Sequence, residues 1–109
     1  MNEIEEIIDF CAKNNAPVFN YNKAIEETTE FNEVLIKLQT KHPDNPKYPD
    51  KNEVLKEYGD MVYRGFIAIK TLFPDYSSIV LKGEIDAHIE MKLLKLIKYK
   101  NEGKYTMGL

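Results

Sequence analysis

Between Asn20 and Gln39, and again between Glu53 and Leu72, apolar residues recur at intervals of three and four, the spacing of one face of an α-helix. Ile25, Phe31, Val34, Leu35 and Leu38 define the first stripe. Val54, Leu55, Tyr58, Met61, Val62, Ile69 and Leu72 define the second. Strand-like alternation occurs nowhere, so an all-α fold is predicted. Acids three residues apart interrupt each stripe: Glu27 with Glu30, then Glu57 with Asp60. At about 100° per residue, an i,i+3 pair shares one face, one turn apart. Two such helices lying side by side can aim four carboxylates at one small volume.

The phase of these acids separates a site from a solvated face. Glu27 falls inside the apolar arc, within roughly 20–40° of Phe31, Val34 and Leu38, and Glu30 borders it. Glu26 and Glu33 point the other way, where charge is free to hydrate. On the second helix Glu57 abuts the stripe and Asp60 lies further round. A carboxylate turned towards a core costs several kcal/mol unless a positive charge meets it. Four together raise one another's pKa values. A divalent cation answers both problems, and an all-oxygen carboxylate set suits Mg²⁺ or Mn²⁺ better than zinc.

The pattern Glu27-x-x-Glu30, 26 intervening residues, then Glu57-x-x-Asp60 resembles the signature of the MazG-type, all-α nucleoside triphosphate pyrophosphohydrolases. Lys23-Ala-Ile-Glu26-Glu27-x-x-Glu30 resembles the family's Glu-Glu-x-x-Glu helix, and Glu57-Tyr-Gly-Asp60-Met-Val-Tyr its Glu-x-Gly-Asp-hydrophobic helix. The likeness runs from about Asn20 to Leu96, and the Lys-rich last helix is similar to stand-alone, phage-type members. It implies a four-helix, oligomer-forming bundle. Its implied activity is Mg²⁺-dependent attack at the α-phosphorus of a (d)NTP, yielding (d)NMP and pyrophosphate. The four acids would serve as metal ligands and catalytic groups, and the site would be partly lined by a neighbouring subunit of a homodimer or homotetramer. The competing reading is a helical interaction or adaptor protein that kept the bundle without the chemistry.

Candidates for substrate contact are Asn20, Lys23, Arg64 and Lys92. Arg64, the only arginine beside fourteen lysines, stands four residues after Asp60. It is either an i,i+4 surface partner or a phosphate clamp, to which its planar guanidinium is suited. Lys92 lies near Ile85, Ile89 and Leu96 on its helical wheel, and relatives place a lysine near the phosphates on this helix. Asn20 occupies a position where many relatives carry glutamine. Tyr21, Tyr58 and Tyr63 fit core packing better than base stacking. His42, His88 and Cys11 have no metal-ligand or triad spacing, and no Gly-rich phosphate loop is present.

A net charge of −3 leaves no basic footprint for a nucleic-acid polymer. The lone Cys11 excludes an internal disulfide and is predicted as a buried thiol. No apolar run of about 18 residues is present, and the first residues are acidic where a signal peptide would be basic, so a cytoplasmic protein is expected. A single domain of 109 residues is small enough to benefit from an oligomer interface.

Around the central pair, a first helix is expected over Glu3–Lys13, from Ile4, Ile7, Ile8 and Cys11. The second is expected to start at about Asn20, after Pro17. A loop with three prolines (Thr40–Lys51) leads to a third helix capped by Asn52, with Gly59 and Gly65 inside it for close approach to a neighbour or ligand. A short helical segment capped by Ser77 or Ser78 should end at Gly83, before a last helix over Glu84–Lys100. The stretch from Gly103 to Leu109 is expected to fray.

Overall fold

The apolar spacing emerges as four helices: α1 (Glu3–Asn14), α2 (Pro17–Thr40), α3 (Lys51–Leu72) and α4 (Ser78–Asn101). The computed structural model describes residues 3–104, and no strand occurs among them. The chain divides into two compact units, residues 1–75 and 76–109. The first holds α1, α2 and α3, with α2 packed along α3 and α1 against both. The second holds α4. No helix among the described residues is long and apolar enough to cross a membrane.

Pro17 opens α2 rather than preceding it by a turn. The first N–H of a helix has no intrahelical acceptor, so proline sacrifices nothing there, and its fixed φ already suits the helix. Helix α3 likewise begins earlier than expected. Asp50 is its cap, its Oδ1 accepting from the Glu53 backbone N–H at 2.8 Å, and Asn52 lies inside the first turn. The intervening loop is tied by local bonds, the Asn45 N–H to the His42 carbonyl and the Tyr48 N–H to the Asn45 carbonyl, both at 2.9 Å.

Helix α4 is one continuous element. Ser77 caps it by accepting from the Val80 N–H at 3.2 Å. Gly83 sits inside it and does not end it, because one glycine costs about 1 kcal/mol and leaves every backbone bond available. The break comes at Gly103, whose φ of 71° suits a residue without Cβ. There the Gly103 N–H reaches the Lys100 carbonyl at 3.1 Å and the Lys104 N–H the Tyr99 carbonyl at 2.8 Å. Residues 105–109 of the expected frayed tail lie outside the described residues.

Two contacts set the direction of α2 against α3. The Asn20 amide near the start of α2 meets Thr71 near the end of α3. Further along, the Phe31 ring meets Tyr58 edge-on at 5.5 Å. The helices therefore run antiparallel. Val34 on α2 and Ile67 on α3 are buried between these elements. Much of both predicted stripes stays in solvent, including Ile25, Leu35, Leu55, Tyr58, Val62 and Leu72. Ile4 and Ile7 of α1 are exposed too, and the Cys11 thiol is only half-buried. Two helices can cover only one narrow strip of each other, so a broad stripe leaves its margins uncovered. Gly59 and Gly65 have open space where a Cβ would stand, so no close approach among the described residues explains them.

Candidate metal centre

Beside the Phe31–Tyr58 contact, the antiparallel pair brings its acids together. Glu27 from α2 joins Glu57 and Asp60 from α3, each offering one carboxylate oxygen within 4.8 Å of the others. A second group on α2, Glu26, Glu27 and Glu30, meets the same limit. Glu27 belongs to both. Glu26 was expected to face solvent, and it is exposed; its flexible side chain nevertheless brings its carboxylate within reach of the group.

The burial of this centre is uneven. Glu27, Glu30, Glu57 and Asp60 are all half-buried. Within them, Oε2 of Glu27 and Oε2 of Glu57 are shut off from solvent and have no hydrogen-bond partner. An ionised oxygen in that condition is costly, because it has lost water and gained nothing in return. Glu30 carries the clearest sign of crowding. Its pKa is raised above the ordinary carboxylate value, chiefly by a hydrogen bond with Glu27, then by burial and the negative charges of Glu27, Glu57 and Glu26.

Lys56 is the residue that the sequence reading missed. Its Nζ lies 3.4 Å from Glu57 Oε1 and 3.5 Å from Asp60 Oδ2, and the negative charge of Glu57 is the main cause of its raised pKa. The signal was available, since Lys56 and Asp60 are spaced i,i+4 on one helix.

Each remaining candidate has surroundings of its own. Lys23 Nζ pairs with Glu26 at 3.1 Å and lies 5.8 Å from the centre of the Phe19 ring. Arg64 stacks on Tyr63 at 4.9 Å and leaves Asp60 to Lys56. Lys92 is exposed on α4, on a face shared with Ile85, His88, Ile89 and Leu93. Asn20 is wholly buried. Its Nδ2 donates to Thr71 Oγ1 at 2.9 Å and to the Cys11 carbonyl at 3.2 Å, while its Oδ1 accepts from Asn15 Nδ2 at 3.1 Å. That amide is committed to the protein itself.

The donor set fits a hard divalent ion. It is all oxygen, carries excess negative charge, and includes two buried oxygens without a proton donor. No family model matches the chain, and neither a curated protein nor a solved structure does.

Proposed function

We propose that the chain is a Mg²⁺- or Mn²⁺-dependent nucleoside triphosphate pyrophosphohydrolase of the MazG type, converting a (d)NTP to (d)NMP and pyrophosphate. The observation that supports this most is the pair of buried, unpartnered oxygens on Glu27 and Glu57, within a carboxylate group that includes Asp60. Glu27, Glu57 and Asp60 would hold the ion, with Glu30 completing the set from the adjoining turn. When bound, such an ion neutralises phosphate charge and activates water for hydrolysis. The four acids are half-buried, so the group keeps contact with solvent, from which a triphosphate would approach. Lys23, Arg64 and Lys92 are the proposed phosphate contacts, and each has an exposed or half-exposed cationic side chain. Asn20 is the weakest of the substrate candidates, since its polar atoms already have partners inside the protein.

The adaptor reading draws its support from the exposed apolar margins of α2 and α3, among them Ile36, Leu55 and Val62. A nucleotide panel separates the two. The proposed enzyme releases pyrophosphate from at least one (d)NTP with Mg²⁺ or Mn²⁺ and none in EDTA. Orthophosphate as the product would point to a phosphatase. No turnover across the panel with either metal would leave the adaptor reading standing.

A further inference from the structure

One carboxylate at the centre is divided between two environments. Glu57 Oε1 faces Lys56 Nζ at 3.4 Å, while Oε2 of the same group is buried and has no partner. Asp60 is engaged in the same way, through Oδ2 at 3.5 Å. The Lys56 side chain is 70% exposed, so it reaches these acids from the solvent side along its own helix. Glu57 and Asp60 are the charges that attract it there.

We infer that Lys56 is a built-in counter-cation of the centre, which competes with a divalent ion for Glu57 and Asp60 and so sets the metal concentration at which the site fills. The inference rests on the metal-dependent reading above. Two of the acids that would ligate the ion are also the two that hold the lysine. An ion among these carboxylates meets an ammonium a few ångströms away, and the two repel whether or not the lysine swings out. Without metal, the same ammonium offsets part of the mutual repulsion of Glu57, Asp60 and Glu27. Lys56 therefore favours the empty centre and disfavours the filled one.

The size of the effect follows from Coulomb's law. A single charge and a dication about 6 Å apart in a water-like dielectric repel enough to weaken binding roughly tenfold. At an exposed position that repulsion is screened by salt.

The test is Mn²⁺ binding to the whole chain, followed by calorimetry and by the paramagnetic resonance of the free ion, at low ionic strength and neutral pH. Lys56→Gln should bind Mn²⁺ several-fold to about tenfold more tightly than the native protein. Lys56→Arg, which keeps the charge, should bind as the native protein does. The advantage of Lys56→Gln should shrink in about 0.5 M salt. In EDTA, Lys56→Gln should melt below the native protein, and added Mn²⁺ should narrow the gap. Equal or weaker Mn²⁺ binding by Lys56→Gln, with native binding intact and abolished by Glu57→Gln, overturns the role of Lys56 alone. Absence of Mn²⁺ binding by both the native protein and Lys56→Gln overturns the metal-dependent reading and this inference with it.

Discussion

The amide of Asn20 donates to the hydroxyl of Thr71 at 2.9 Å, and that hydroxyl donates in turn to the Ile67 carbonyl at 2.7 Å. Asn20 also reaches the Cys11 carbonyl and takes a bond from Asn15. One fully buried side chain thus ties α1, α2 and α3 at a single point. Removing it strands buried donors and acceptors, which costs about 1–3 kcal/mol for each group left unpaired. Asn20→Leu is expected to lower the denaturant midpoint with little change in slope. Thr71→Val should cost less, and the double variant should fall short of the sum. Chemical denaturation of all three measures this.

At the acid centre, Glu27→Gln and Asp60→Asn keep side-chain size but remove charge and ligand strength. Each is expected to cut metal-dependent pyrophosphate release by orders of magnitude, and the pair to lose little beyond either one, as for residues acting as a unit. Glu33→Gln, on the exposed side of α2, should change the rate only modestly. A Glu33→Gln variant as damaged as Glu27→Gln would mean that the inward face is assigned wrongly.

Glu30 makes stability depend on pH in a definite direction. Its folded pKa is raised above the ordinary value of 4.5, first by the hydrogen bond with Glu27. A carboxyl shifted upward contributes stability that is fully present below the unfolded pKa and is lost as pH rises through the folded one. In EDTA, Glu30→Gln should therefore melt above the native protein at neutral pH. The two melting curves should converge as pH falls below about 4.5. Thermal melts at closely spaced pH values read this out, and added Mg²⁺ should favour the native protein.

Assembly is the fourth expectation. Apolar side chains remain uncovered on several elements: Ile36 is 57% exposed, Leu55 56% and Met91 66%. Isolated exposed hydrophobics are normal, but this many on so short a chain point to a covering surface. A homodimer or homotetramer is expected in solution at tens of micromolar. Light scattering that returned only the mass of one chain would remove this expectation, and with it the idea that a neighbouring subunit lines the site.

Helices α2 and α3 were legible because each carries its period over about six turns, and the convergence of Glu27, Glu57 and Asp60 followed from their phase on these two helices. Helix ends were less legible. Asp50 and Asn52 are both good caps by residue type, and the choice between them depended on the path of the loop before α3. Gly83 was read as a break because its local preference is weak; the backbone bonds of α4 continue through it. Asn20 was read by analogy of position as a substrate contact, yet its neighbours Cys11, Asn15 and Thr71 are brought to it only by the fold. Lys56 lies outside both apolar stripes, so the phase of the acids does not single it out. An exposed lysine gains its meaning only once its partners are fixed.

Two ties fasten α2 to α3, Asn20 with Thr71 and Phe31 with Tyr58. Neither tie uses a carboxylate. Changing an acid therefore leaves both fastenings of α2 to α3 in place, and a chain descended from this one can lose a ligand without losing its frame. Divergence should accordingly be easier at the acids than at the ties. A relative that keeps counterparts of Asn20 and Thr71 has shown that its helices still meet, and only its carboxylates reveal whether chemistry came with them.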